Sequence, residues 1–124
     1  MIQKKNKMNI EELKERLNKF DLSEIKSTGH LLIRVQDKRR KINYPQLVSL
    51  LTTQKGLYKF QEQTAKYLNE LKFKLWFKLN YLYDINLYIV MNKEIKEKGL
   101  NRLEIISAHK VKRKIQQEIR KNES

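Results

Sequence analysis

The sequence predicts a mainly α protein: a long antiparallel helical hairpin with a small, mostly helical N-terminal extension. Three observations predict it. Over residues 57–98, Leu57, Phe60, Leu68, Leu71, Leu75, Leu79, Leu82, Ile85, Ile89 and Ile95 recur nearly throughout at steps of three or four, with Thr64 filling the weak step. That spacing is one face of an α-helix. No proline interrupts the stretch, and Gly56 and Gly99 bracket it. Beyond Gly99, Leu103, Ile106, Val111, Ile115 and Ile119 form a second amphipathic series over residues 101–121. A two-residue break between such series predicts an antiparallel hairpin. The chain then divides into a basic extension with short helices, residues 1–55, and the helical hairpin, residues 56–124.

The first long helix would run about 60 Å at 1.5 Å per residue, too long to be wrapped inside a chain of this size. Its middle is aromatic on several sides. Phe73, Trp76, Phe77, Tyr81, Tyr83 and Tyr88 are interleaved with Lys66, Lys72, Lys74 and Lys78. Such a helix expects cover on more than one side. It is either a core helix with two neighbours or a helix wedged between its own partners and a foreign surface. In the second case Phe73, Trp76, Phe77, Tyr81 and Tyr83 pack against the partner. Lys78, Asp84 and Asn86 break the only candidate run for a membrane span.

The other elements follow in order. Residues 1–7 read as a basic, flexible arm without the apolar run of a secretory signal. Asn9 is placed to cap a short helix, with Glu11 and Glu12 in its first turn and Ile10, Leu13, Leu17 and Phe20 on its apolar side. Ser23 suggests a helical turn that Gly29 stops. Residues 30–36 are the best strand candidate, rich in branched side chains but without an obvious pairing partner. Lys38, Arg39, Arg40 and Lys41 then stand in a row beside a single carboxylate, Asp37, and read as a phosphate clamp. Pro45 suits a first helical position ahead of Leu47, Leu50 and Leu51. Lys96 and Lys98 with Gly99 read as the end of the long helix, and Asn101 with Glu104 as a capping box for the next. That second helix carries Lys110, Lys112, Arg113 and Lys114 around Val111.

Lysine and arginine number 28 against 14 aspartate and glutamate, a net charge of +14 over 124 residues. Such a field attracts polyanions, nucleic acid first and an anionic membrane surface second. With no cysteine, disulfides, thiolate zinc sites and cysteine nucleophiles are excluded. The two histidines, His30 and His109, lie far apart, and the three glycines are too scattered for a phosphate-cradling loop. Carboxylate pairs such as Glu11 with Glu12 and Glu94 with Glu97 sit in lysine-rich segments and read as solvated faces. No catalytic constellation emerges, so neither an enzyme nor a cofactor is expected.

Leu75-Trp76-Phe77, Asn86 followed by an apolar run, the stretch of Glu94 and Lys96, and Lys110-Val111-Lys112-Arg113-Lys114-Ile115 together resemble large-subunit ribosomal protein twenty-nine in its mitochondrial form. The resemblance covers roughly residues 68–120. It implies a helical hairpin in the large ribosomal subunit of the mitochondrial matrix, or of the cytoplasm. It also implies rRNA binding near the polypeptide exit and neighbouring ribosomal proteins as partners. The RNA-binding residues would be residues 38–41, Lys72, Lys74, Lys78, Lys110, Lys112, Arg113 and Lys114. The alternatives are a free-standing nucleic-acid-binding module, a small subunit of another ribonucleoprotein, and a protein-interaction adaptor.

Overall fold

A computed structural model describes residues 8–28 and 42–112. The expected strand over residues 30–36, the basic run 38–41, Arg113, Lys114 and the remainder of the second expected helix lie outside the described residues. Where a helical hairpin is expected, the chain forms a sheet. Helix α1 (Ile10–Leu17), strand β1 (Ile25–Ser27) and helix α2 (Tyr44–Thr53) precede β2 (Leu57–Gln63), β3 (Glu70–Lys78), β4 (Tyr83–Asn92) and β5 (Leu103–Lys112). The sheet order is β1-β5-β4-β3-β2, with β1 parallel to β5 and every other pair antiparallel.

The correction has a plain physical reason. In β3, Leu71, Phe73, Leu75 and Phe77 alternate with Lys72, Lys74, Trp76 and Lys78. In β4, Ile85, Leu87, Ile89 and Met91 alternate with Asp84, Asn86, Tyr88 and Val90. A period of two places each set on its own face of a strand. The partners Phe73 with Ile89, Leu75 with Leu87 and Phe77 with Ile85 bring the apolar sets side by side. All six of these side chains are fully buried, each worth about 1.5–3 kcal/mol of transfer free energy. A segment that is apolar on every side of a helical wheel is also what a two-faced strand looks like.

Two irregularities blur the alternation. Tyr58 is an extra residue in β2, between the pairs Leu57 with Phe77 and Lys59 with Trp76. Ile106 is an extra residue in β5, opposite the step from Tyr88 to Ile89. Each bulge exchanges the faces beyond it. Thus Leu103 and Ile105 face the core before the bulge in β5, and Ala108 does so after it.

Both helices pack on that apolar face. Leu13, Leu17, Phe20, Ile25, Leu47, Leu50 and Leu51 join the sheet residues in one core. The described residues before position 55 thus contribute to the same core as the sheet. Asn9 caps α1 as expected, its Oδ1 accepting from Glu12 N at 2.9 Å while Glu12 reaches back to Asn9 N. Asn43 caps α2, its Oδ1 accepting from Gln46 N at 2.9 Å, ahead of Pro45. The Tyr44 hydroxyl donates to Ile25 O at 3.0 Å and ties α2 to β1, and burial pushes its pKa upward. Arg16 donates to Lys93 O at 2.8 Å; burial lowers its pKa and the charge of Glu62 opposes that fall.

The residues expected to end one helix and begin another instead build the β4–β5 connection. Gly99 has a positive φ of 94°, but in a turn rather than beyond a helix. Asn101 is buried, and its Oδ1 accepts from Lys96 N and Asn92 Nδ2, at 2.6 and 3.0 Å, while its Nδ2 donates to Lys96 O. Buried Glu24 accepts from Gly99 N at 3.1 Å and from Asn101 N at 2.5 Å. Asn101→Ala leaves several of these groups unpaired and should lower stability by about 2–4 kcal/mol in chemical denaturation. It should also raise amide exchange selectively between Asn92 and Arg102.

Candidate nucleic-acid interface

The sheet's second face carries the polar halves of the same alternation. Cross-strand pairing sets Lys59, Trp76, Asn86 and His109 in one transverse row, and Gln61, Lys74, Tyr88 and Ser107 in the next. A third row holds Gln63, Lys72, Val90, Glu104 and Lys26. Lys78 stands opposite Asp84 beyond the first row. Five lysines thus share a face with three carboxylates: Glu104, Glu70, which is ion-paired to Arg102, and Asp84, which is fully buried and accepts from the Tyr58 hydroxyl.

Trp76 is the centre of this face. It is 8% exposed yet lies outside the helix-side core. The Lys59 and Lys74 ammoniums stand 4.7 and 4.6 Å from its ring centroid, and Lys74 is also 5.5 Å from the Tyr88 ring. Cation–π attraction of this kind is worth about 0.5–2 kcal/mol and fixes long, flexible stems above a rigid ring. Tyr88 meets His109 edge to face, with centroids 6.2 Å apart. Asn86 Oδ1, between Trp76 and His109, is buried without a hydrogen-bond partner.

The structure sorts the sequence-derived candidates. Lys72, Lys74, Lys78 and Trp76 come together on this face. Phe73 and Phe77 are fully buried in the core and are not available to a partner. Tyr81 is 85% exposed in the β3–β4 turn, where Asn80 Oδ1 accepts from Leu82 N and Tyr83 N. Tyr83 is half-buried with the Lys110 ammonium 4.5 Å from its ring. Lys110 and Lys112 pair with Ile85 and Tyr83 and so fall on the helix-bearing side of the sheet, away from Lys72 and Lys74. Helical reasoning missed Lys26, Lys59, Tyr88, Asn86 and His109 as members of one site. The alternation in β4 was the signal that could have found Tyr88 and Asn86; Lys26, Lys59 and His109 join them only through strand order and register.

No family model, curated protein or solved structure matches this chain. Among the described residues, no helix is long and apolar enough to cross a membrane.

Proposed function

We propose that this protein binds nucleic acid, RNA in the first instance, by laying the phosphate backbone across the lysine-bearing face of its sheet. The observation that carries the reading is Trp76 set between the ammoniums of Lys59 and Lys74 at the centre of that face. Lysines whose stems are fixed by an aromatic ring lose less freedom when they meet a phosphate. The net charge of +14 supports the same partner. Contacts of this type position a strand without reading its sequence. The ribosomal and mitochondrial expectations depended on a resemblance that implied a helical hairpin. The described residues form a sheet there, so the proposal stops at nucleic-acid binding.

Trp76 is the only tryptophan, which makes the test direct. Titrating single-stranded RNA into the full chain should change its emission, because phosphates would draw Lys59 and Lys74 from the ring. Added salt should reverse the change. An emission spectrum indifferent to RNA and DNA, with no binding by anisotropy at low salt, overturns the reading.

A further inference from the structure

At the Lys72 end of the same face lies a cavity of about 500 Å³. Val90 and Ile106, neighbouring strand residues, give it an apolar floor. Tyr67, Lys72, Arg102 and Glu104 also line it. Ile106 follows core-facing Ile105 and so falls on the Glu104 side, at the β5 bulge. Tyr67 is 56% exposed, with the Lys66 ammonium 5.4 Å from its ring centroid, so an aromatic ligand would stack there by taking that cation's place or the opposite face.

Two carboxylates line the cavity: Glu70 is 10% exposed and ion-paired to Arg102, and Glu104 is the more accessible one. A carboxylate on a phosphate-binding face repels the backbone and is unfavourable unless the ligand brings donors to it. Arg102 stands near Glu104: its guanidinium is ion-paired to Glu70, and its Nε is 3.9 Å from Glu104 Oε1. The Glu104 side chain remains 38% exposed. This is an accessible acceptor in a cavity that also presents an aromatic ring, apolar side chains and Lys72 for a phosphate. Pockets of this size hold small aromatic ligands.

We propose that the cavity receives one unpaired nucleobase of the bound strand and that it selects guanine. The inference rests on the nucleic-acid reading above. Guanine alone among the common bases presents two adjacent N–H donors, at N1 and N2, matching the two oxygens of a carboxylate. Adenine and cytosine set an amino group beside a ring-nitrogen acceptor, which Glu104 repels. Uracil sets one N–H between two carbonyls. Tyr67 would stack on the inserted base, as aromatic side chains do in single-strand recognition.

The test compares a fluorescein-labelled oligo(U) with the same strand carrying one central guanosine, inosine or adenosine, using the full chain. The guanosine strand should bind on the order of tenfold tighter than oligo(U), as expected for a good bidentate base contact. Inosine, which lacks the N2 amino group, should lose most of that advantage, and adenosine all of it. Glu104→Gln should reduce the guanosine-to-oligo(U) affinity ratio to below twofold, and Tyr67→Ala should reduce it in part. Because the readout is a ratio within each variant, a partial loss of folded protein does not imitate the effect. Equal affinities for the guanosine and oligo(U) strands overturn the guanine site and leave the nucleic-acid reading standing. A guanosine preference that survives Glu104→Gln overturns it too. Failure to bind any of the strands overturns both.

Discussion

Gly56→Ala should destabilise the fold by about 2–5 kcal/mol, combining left-handed backbone strain with overpacking. Gly56 lies in the turn between α2 and β2 with φ +82°. A Cβ there would stand 2.4 Å from the Lys78 carbonyl oxygen, on backbone that cannot move like the tip of a side chain. The approach is close because Lys78 N donates to Gly56 O at 2.8 Å, which joins the end of β3 to the start of β2. Gly99→Ala is the control. Its φ is +94° but nothing lies within 4 Å of a built Cβ, so only the backbone term remains, about 1 kcal/mol. Chemical denaturation of both variants separates steric from torsional cost. Equal losses would show that the approach at Lys78 relaxes.

The second large effect is electrostatic. Replacing Lys72, Lys74 and Lys78 together by Gln should weaken binding to RNA of any sequence and flatten the log–log dependence on salt by about two units. Each phosphate contact on a single strand contributes roughly 0.7 to that slope. Lys110→Gln with Lys112→Gln removes two cations from the other side of the sheet and should change the slope by less than about half a unit. Anisotropy titrations across a range of salt concentrations check both. If the Lys110 and Lys112 pair carries the slope instead, the strand runs over the helix-bearing side, and the face around Trp76 is not the interface.

Much of the first half of the fold was legible locally. Asn9 with Glu12, and Pro45 ahead of Leu47, Leu50 and Leu51, mark helices because a cap is satisfied within three residues and an amphipathic stripe within two turns. The sheet was misread because the same leucines and isoleucines satisfy two templates. Leu71, Leu75 and Leu79 are four apart on a helix, and they are also every second inward position of a strand. What distinguishes the templates is the set between them, Phe73 and Phe77, which a helix would turn elsewhere and a strand turns inward. The full burial of both decides for the strand. The bulges at Tyr58 and Ile106 then shift the phase, so no single period describes β2 or β5.

By itself the sequence determined the strong positive charge, the absence of thiol chemistry, the Asn9 cap of α1, the proline start of α2 and the presence of Trp76, Lys72, Lys74 and Lys78 within one short segment. These depend on composition and on neighbours a few residues away. Only the tertiary structure decided that Lys59 stands over Trp76, and that Val90, Glu104 and Ile106 line one cavity with Tyr67. It also decided that Lys110 lies on the far side of the sheet. Those facts are fixed by strand order and register. Register is set where Phe73, Leu75, Phe77, Ile85, Leu87 and Ile89 bury their side chains together, because a slip of one residue would carry every one of them to the lysine face.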